Sequence, residues 1–307
     1  MNSVAVLAGP TASGKTAVAL EYAIRHGALE IVSADSMLVY RSMDIGTAKP
    51  AAAEMSGIRH HLMDICDPDR QFTAGDFVRH AKAAIEDIHA RGRRALVAGG
   101  TGFYLKALMR GMWTEAPASP ELRVRLENLP DAELFEKLAA VDSGAAAKIG
   151  RRDRYRLVRA LELFEATGTR PSELASGGAS APDPMFKLLV IDRERAELAD
   201  RIRLRTKAML SAGLLEEARS LASRFPGAKA LGAVGYKQTL MHLEGHIPAG
   251  RKYDGSLLSL ENEIALATRQ LVKAQRTWFR SQKEAEHFLL DRDLPTLKER
   301  LDGLYGR

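Results

Sequence analysis

The sequence has little cysteine, few aromatic residues and no long apolar run. Cys66 is the only cysteine among 307 residues, which excludes an internal disulfide and a zinc site built from several cysteines. No segment approaches the roughly 20 apolar residues that cross a bilayer, and the N-terminal apolar stretch is too short for a signal peptide. We therefore expect a cytoplasmic protein without a membrane partner.

An excess of acidic residues is also lacking. Lys and Arg number 45 against 39 Asp and Glu, so the formal net charge is +6. This modest positive charge makes an anionic partner plausible. Hydrophobic residues make up 46% of the chain, which is enough for a large buried core at this length.

The segment "GPTASGKT" at residues 9–16 fits the phosphate-binding pattern GxxxxGK[ST]. A strand-like run precedes it and a helical pattern follows, as this geometry requires. Backbone N–H groups would surround an anion, Lys15 would add a cation and the Thr16 hydroxyl could ligate Mg²⁺. We predict that the whole loop binds phosphate, namely Gly9, Pro10, Thr11, Ala12, Ser13, Gly14, Lys15 and Thr16. The pattern leaves open whether the phosphates belong to ATP or to another diphosphate.

Strand-like runs alternate with helical patterns along the chain, which indicates an α/β fold with a parallel sheet between helices. The segments "APASP" at 116–120 and "SGGASAPDP" at 176–184 bracket a stretch that has helical patterns only. We predict a P-loop NTPase-like core from residues 1–115 and 185–307, with an all-helical insertion domain at 116–184.

Three polar residues follow predicted strands, at the sheet edge where doubly wound folds bind ligands. Asp35 and Ser36 follow the second strand, and Thr101 stands in "GGTG" after the next. A carboxylate close to bound phosphates can accept a proton or hold a hydrated metal. Asp35 could instead cap a turn, and Thr101 could be an ordinary helix N-cap.

Basic residues recur at helical spacing in three places. One stripe is Arg152, Arg156 and Arg159, a longer one is Arg269, Lys273, Arg276 and Arg280, and a pair is Arg201 and Arg205. A single stripe is usually a solvated helix face. Several stripes of one sign in a modestly charged chain favour binding of a polyanion.

Motifs along the whole chain resemble those of the bacterial tRNA dimethylallyltransferase family, which is also called isopentenyl-tRNA transferase. They include "GPTASGKT", "SADSMLVYRSMDIGTAKP", "HHLMDICDP", "GGTGFYLKAL", "RYRLVRALELFEATG", "AVGYKQ" and "TRQLVKAQRTWFR". The chain departs from the family at Leu38, where many members carry Gln, and at Thr206 and Lys207, which replace Val-Asp.

The resemblance implies transfer of a dimethylallyl group from dimethylallyl diphosphate to the exocyclic amine of the tRNA adenosine immediately 3′ of the anticodon, position 37, with release of diphosphate. It implies that Asp35 is the general base, that Thr101 contacts the substrate beside it, and that Lys15, Arg201, Arg205 and Mg²⁺ on Thr16 hold the diphosphate. Contacts with tRNA are assigned to Asp35, Ser36, Met37, Leu38, Thr101, Arg123, Arg152, Arg156, Arg159 and Arg276. We expect a monomer.

Two other functions fit parts of the sequence. A small-molecule kinase that uses ATP could share the P-loop core, and a nucleotide switch could bind RNA without catalysis, although no NKxD motif is present. "KLLVID", which ends at Asp192, resembles a Walker B strand, but such strands are common in parallel sheets. His60, His61 and Asp64 suggest a metal site, yet adjacent histidines point in different directions, so we predict a structural role.

Overall fold

The chain forms two compact units. In the computed structural model, residues 3–111, 120–177, 181–246, 250 and 253–306 are described. The larger unit comprises Met1–Leu108 and Pro184–Arg307, and the smaller one comprises Met109–Asp183. Much of the two loop segments expected around the insertion, including 116–119 and 178–180, lies outside the described residues.

A parallel sheet of six strands organises the larger unit. The strands are β1 (Val4–Ala8), β2 (Leu29–Ser33), β3 (His60–His61), β4 (Arg94–Gly99), β5 (Phe186–Asp192) and β6 (Glu286–Leu289). Their order across the sheet is β3-β2-β4-β1-β5-β6, and every pair is parallel. All five residues of β1 are buried, as a central strand covered on both faces requires. The predicted α/β class is confirmed.

The helices follow the chain in the order α1 (Lys15–His26), α2 (Ala74–Ala90), α3 (Gly102–Arg110), α4 (Pro120–Glu127), α5 (Asp131–Val141), α6 (Ser143–Ile149), α7 (Arg154–Thr167), α8 (Pro171–Gly177), α9 (Arg195–Ser211), α10 (Leu214–Arg224), α11 (Tyr236–Leu243), α12 (Leu257–Arg280) and α13 (Leu290–Tyr305). A short 3₁₀ helix covers Lys229–Gly232. Within the described ranges, no helix is long and apolar enough to cross a membrane.

The C-terminal helix α13 packs with α1 on the sheet. Tyr22, Leu96 and Leu297 belong to the shared core cluster. The hydroxyl of Tyr305 accepts a hydrogen bond from the N–H of Ala5 at 2.9 Å and donates one to the carbonyl oxygen of Ala95 at 2.6 Å. These bonds join α13 to β1 and β4. Strand β1 leads to the predicted phosphate-binding loop at residues 9–16, which we call the phosphate loop, and β4 leads to Thr101.

A second apolar cluster joins α9, α10, α11 and α12 to the segment after β2. Its members include Met43, Leu214, Tyr236 and Ile264, all of which are 1% exposed or less. Because this cluster fixes the segment that follows Asp35, it shapes one wall of the site described below.

In the described part of the smaller unit the regular secondary structure is helical, and it comprises the end of α3 and helices α4 to α8. Its own core contains Leu126, Leu134, Leu138, Leu157 and Leu161. Asp142 caps α6 by accepting the N–H of Ala145 at 2.9 Å, and it also accepts the N–H of Ser172 at 2.7 Å.

Candidate active site

The phosphate loop connects β1 to α1, and two of its residues have positive φ angles. Gly14 has φ +95°, and Ala12 adopts φ +67°, which is unusual for a residue with a side chain. Gly9 leaves no room for a side chain, because a Cβ atom there would lie 2.4 Å from the carbonyl oxygen of Ile191 in β5. The start of the loop therefore packs directly against the backbone of β5.

Three side chains from distant elements hold the backbone of this loop. Arg201 donates from Nε to the Ala12 carbonyl at 2.9 Å, and Arg193 donates from Nε to the Ser13 carbonyl at 2.9 Å. The Thr11 N–H donates to Oε1 of Gln275 at 2.8 Å. The structure thus places Arg201, predicted to bind diphosphate, on the backbone of the loop.

Arg193 and Gln275 were not identified as site residues from the sequence. Gln275 does stand inside the motif "TRQLVKAQRTWFR", whereas nothing in the sequence around Arg193 signals its contact. Arg193 also forms ion pairs with Glu197 and Asp291, so its side chain is anchored on both α9 and α13.

Lys15 lies between the phosphate loop and the loop after β4. Its Nζ is 3.4 Å from the Pro10 carbonyl oxygen and would be 3.4 Å from a Cβ atom on Gly100. Burial lowers the pKa of Lys15 to about 8; Asp35 acts to raise this pKa and Arg205 to lower it. The ammonium is still mostly protonated at pH 7, and a desolvated cation favours a bound anion.

Asp35 and Thr101 follow the carboxyl ends of β2 and β4, and both line the same cavity. The Oδ1 atom of Asp35 accepts the N–H of Met37 at 2.9 Å, so Asp35 does cap a turn while it lines the cavity. Thr101 Oγ1 accepts the N–H of Ser36 at 3.0 Å, and the Thr101 N–H donates to the Ala34 carbonyl at 3.2 Å. The two strand ends are therefore joined through Thr101.

A cavity of about 310 Å³ opens beside these residues. Its polar wall includes Thr11, Asp35, Ser36, Thr101, Arg205 and Gln275. Aliphatic side chains from two helices and one loop form another part of its wall, namely Ile202, Met209, Val234, Ile264 and Leu271. Met37 also lines this cavity, whereas the described residues that line it do not include Leu38. The cavity can accept a ligand that has a polar end and a small apolar end.

Arg205 reaches the cavity from α9. Its Nη2 donates to the Thr47 carbonyl at 2.8 Å. Burial lowers the pKa of Arg205, while Asp35 raises it. An arginine is too weak an acid to lose its proton in such a site, so Arg205 adds a second cation near Asp35.

The carbonyl that Arg205 contacts belongs to a loop held by Glu217 of α10. The carboxylate of Glu217 accepts the N–H groups of Asp44, Ile45 and Gly46 at 3.1, 2.8 and 3.0 Å. Glu217 was not identified from the sequence, although it stands in the helical segment that follows the pair Arg201 and Arg205.

Arg276 is held inside the larger unit. Its Nε lies 2.6 Å from Asp192 Oδ2, its Nη2 donates to the Arg193 carbonyl at 3.0 Å, and its side chain is 16% exposed. In the same helix Arg269, Lys273 and Arg280 are exposed. A tRNA contact by Arg276, as predicted from the stripe, would compete with this ion pair. Asp192 at the end of "KLLVID" is likewise occupied by Arg276.

In the smaller unit two of the predicted tRNA-binding arginines face one buried carboxylate. Glu162 is 2% exposed. Arg159 Nη1 is 3.1 Å from Glu162 Oε2, and Arg123 Nη1 is 3.8 Å from Oε1. Arg152 and Arg156 are exposed on the same unit, and Arg156 pairs with Asp153 at 3.3 Å.

The "HHLMDICDP" segment borders a buried ion cluster. His61 Nε2 lies 2.7 Å from Glu30 Oε2, and Arg91 pairs with both oxygens of Glu30 at 2.5 and 2.7 Å. The hydrogen bonds from Arg91, followed by those from His61, lower the pKa of Glu30 to about 2 against the opposing effect of burial. The residues that the structure describes contain no group of three or more His, Cys, Asp or Glu that could hold a metal ion.

Comparison with known sequences assigns a family. The family profile described as IPP transferase matches residues 38–282. The tRNA dimethylallyltransferase 1 of Citrifermentans bemidjiense is 44% identical over 283 residues, which cover 90% of this chain and 88% of the relative. The tRNA dimethylallyltransferase of Sorangium cellulosum is 44% identical over 286 residues, which cover 91% and 88%.

Solved structures agree with this assignment. The tRNA isopentenylpyrophosphate transferase of Bacillus halodurans superposes with a TM-score of 0.71 at 32% identity, covering 99% of this chain and 97% of that one. A eukaryotic dimethylallyltransferase, captured in crystals acting on tRNA, gives a TM-score of 0.83 at 25% identity, covering 98% and 78%. The resemblance found in the sequence motifs is thereby confirmed, and the chain belongs to the IPP transferase family.

Proposed function

We propose that this protein transfers a dimethylallyl group from dimethylallyl diphosphate to the exocyclic amine of adenosine 37 in tRNA. The observation that carries the proposal is the placement of Asp35 and Thr101 beside the phosphate loop, in a cavity whose other wall is aliphatic. A branched five-carbon group is apolar and small enough for that wall. The family assignment and the activities for which the relatives are named support the same reaction.

The diphosphate would lie on the phosphate loop. Its negative charge increases as the bond between C1 and the bridging oxygen breaks, because the electron pair leaves with the oxygen. Backbone N–H groups of residues 14–16, the ammonium of Lys15 and the guanidinium of Arg205 would stabilise that charge. Arg201 would act by holding the Ala12 carbonyl, which orients the loop.

The residues present fit a magnesium ion that is held mainly by diphosphate and water. Thr16 is exposed in the first turn of α1, next to Lys15. Mg²⁺ commonly keeps several waters and takes one or two protein ligands together with substrate phosphates, so a larger acidic cluster is not required. We propose that the Thr16 hydroxyl is one ligand. When bound, the ion would neutralise part of the diphosphate charge.

Asp35 would be the general base. Its Oδ1 is fixed by the Met37 N–H, so Oδ2 can accept a hydrogen bond from the adenine amine. The amine nitrogen forms a bond to C1 of the dimethylallyl group and then loses one proton to the carboxylate. Because this nitrogen becomes acidic only as the new bond forms, a carboxylate is a strong enough base at that stage. Thr101 and Ser36 would contact the adenine beside Asp35.

The adenine must leave its stack to reach this cavity, at a cost of a few kcal/mol. We propose that cationic side chains offset that cost by binding the anticodon stem and loop. In the smaller unit these are Arg123, Arg152, Arg156 and Arg159. In the larger unit they are Arg269, Lys273 and Arg280, which are exposed on α12. Met37 and Leu38 would lie beside the entering nucleotide. We further propose that the protein carries out this reaction as a monomer.

Mass spectrometry of digested tRNA tests the reaction. Isopentenyl adenosine should form only when protein, Mg²⁺ and dimethylallyl diphosphate are all supplied. The Asp35→Asn variant should lower kcat by about 100-fold or more, as expected for loss of a general base, while tRNA affinity stays within about twofold. Unmodified tRNA in the complete reaction would contradict the proposal.

We also propose that the loop prefers dimethylallyl diphosphate to ATP. The cavity next to the loop is small, about 310 Å³, and part of its wall is aliphatic. Such a wall suits a dimethylallyl group better than a polar adenosine. Competition binding with the two ligands tests this preference. The comparisons give no support to the ATP-dependent kinase considered from the sequence, and phosphate transfer from ATP in the absence of RNA would be needed to revive it.

A further inference from the structure

Helix α12 contacts the backbone on both sides of Thr101. On one side, Gln275 accepts the Thr11 N–H through Oε1 at 2.8 Å and donates through Nε2 to the Gly100 carbonyl at 3.0 Å. Both partners are backbone groups of fixed polarity, so the amide has only one favourable orientation. One side chain therefore joins the phosphate loop to the loop between β4 and α3.

Gly100 is the point where these parts meet. A Cβ atom on Gly100 would lie 3.0 Å from Gln275 Nε2, 3.1 Å from the Gly9 carbonyl oxygen and 3.4 Å from Lys15 Nζ. The absence of a side chain at Gly100 lets Gln275, the end of β1 and the lysine ammonium approach one another. A shift of Gln275 would therefore change the surroundings of the Lys15 ammonium.

On the other side of Thr101, the indole of Trp278 packs against Gly102. A Cβ atom on Gly102 would lie 2.5 Å from the nearest ring atom. Trp278 and Gln275 are three residues apart in α12, so they share a helix face. Thr101 stands between the two glycines, and its hydroxyl accepts the Ser36 N–H next to Asp35. The position of Thr101 therefore depends on α12.

We propose that Gln275 and Trp278 are positioning residues for prenyl transfer, an inference that rests on the proposed function. They place Thr101 against the adenine site and Lys15 against the diphosphate site at the same time. Misplacement by about 1 Å can lower the rate of an enzymatic reaction about 100-fold. Such a defect lowers kcat and leaves the affinity for tRNA largely unchanged, since the binding surface for a large RNA lies mostly elsewhere.

Gln275→Met tests the hydrogen-bonded side. Methionine has a similar length and volume but makes neither bond. Gln270→Met is the matched control, because Gln270 is an exposed residue of the same helix. We expect kcat to fall about 100-fold in Gln275→Met, with the KM for tRNA within about twofold, and no change in Gln270→Met. Unchanged kcat in Gln275→Met, or a loss confined to the KM for tRNA, would overturn the assignment of Gln275.

Suppression tests the packed side. Gly102→Ala should lower kcat because its methyl group displaces the rigid indole. Trp278→Leu alone removes the surface that Gly102 packs against and should lower kcat, but by less than the clash in Gly102→Ala does. The double variant should therefore have a kcat at least tenfold above that of Gly102→Ala. A double variant no more active than Gly102→Ala would overturn the role of this contact. Thermal unfolding of each variant separates this effect from loss of the fold, because rescue of kcat without a matching rise in Tm indicates positioning.

The outcome for wild-type protein distinguishes the two proposals. If the wild-type protein fails to prenylate tRNA, the proposed function and this inference fall together. If it is active and the variants behave like their controls, the positioning role alone is wrong.

Discussion

The hydroxyl of Tyr236 donates a 2.6 Å hydrogen bond to Oε1 of Glu217, and the same carboxylate holds the N–H groups of residues 44–46. Burial, and then the bond to Glu217, raises the pKa of Tyr236, so its hydroxyl remains a donor. The ring fits only because residue 46 is Gly, since a Cβ atom at this position would lie 2.5 Å from the ring. This arrangement presents the Thr47 carbonyl to Arg205 and so connects α10 to the cavity.

Glu217→Gln should therefore affect both stability and turnover. An amide removes the negative charge and turns an NH₂ group toward backbone donors, at a cost of about 2 kcal/mol in the free energy of unfolding. Arg205 should lose its fixed position, which lowers kcat. Denaturant unfolding and the tRNA prenylation assay measure the two effects. Glu216→Gln, an exposed neighbour, serves as the control, and unfolding curves for the two variants that coincide would contradict the prediction.

The lowered pKa of Lys15 predicts a pH dependence of anion binding. In the free protein the ammonium loses its proton as the pH rises through about 8. A bound diphosphate favours the charged lysine, so binding takes up a proton and weakens above that pH. Calorimetric titration with inorganic pyrophosphate from pH 6.5 to pH 9.5 measures the effect.

Lys15→Arg is the control for that experiment. Arginine stays charged over the whole range, so the remaining pH dependence of the variant reports pyrophosphate itself. The difference between wild type and Lys15→Arg should appear near pH 8. Parallel curves would show that Lys15 does not titrate in this range.

The Glu30 cluster predicts loss of stability in acid. The pKa of Glu30 is about 2 in the folded protein against an ordinary value of 4.5. A lowered carboxyl pKa stabilises the fold above about pH 4.5, and this contribution disappears as the pH falls toward 2. It amounts to about 3 kcal/mol at neutral pH, since one pKa unit corresponds to about 1.4 kcal/mol.

Glu30→Gln should remove that stability at pH 7 and give a flatter dependence of the free energy of unfolding on pH below 4.5. Glu86→Gln changes an exposed residue of α2 and should behave like wild type. Urea unfolding at several pH values measures both variants. A Glu30→Gln curve with the same slope as wild type between pH 4.5 and pH 2 would assign the acid loss to other groups.

The variant Arg276→Met tests whether Arg276 binds tRNA or stabilises the fold. The ion pair with Asp192 and the bond to the Arg193 carbonyl lead us to expect a lower Tm and weaker pyrophosphate binding. In Arg276→Met the slope of log affinity for tRNA against log salt concentration should stay unchanged. In Lys273→Met this slope should decrease by about the contribution of one phosphate contact. A reduced slope in Arg276→Met would support the tRNA contact predicted from the sequence.

Local patterns were sufficient to predict the phosphate loop and the α/β class. The spacing of Gly9, Gly14, Lys15 and Thr16 defines a loop whose geometry depends on neighbours in the chain. The alternation of strands and helices likewise depends on local periodicity, and it predicted a parallel sheet with Asp35 and Thr101 at one edge. Tertiary packing then fixed their separation and joined them through Ser36.

The supports of the site could not be predicted in this way, because their partners are far apart in sequence. Thr11 and Gln275 are 264 residues apart, and Arg193 reaches Ser13 across 180. Helical spacing predicted that Arg276 shares a helix face with other cations, but it does not reveal what packs against that face. The partner of Arg276 is Asp192, which lies 84 residues away in the sequence. The sequence by itself determined the fold class and the position of the glycine-rich loop between β1 and α1. Only the tertiary structure decided which charges are paired, because pairing depends on how distant helices pack.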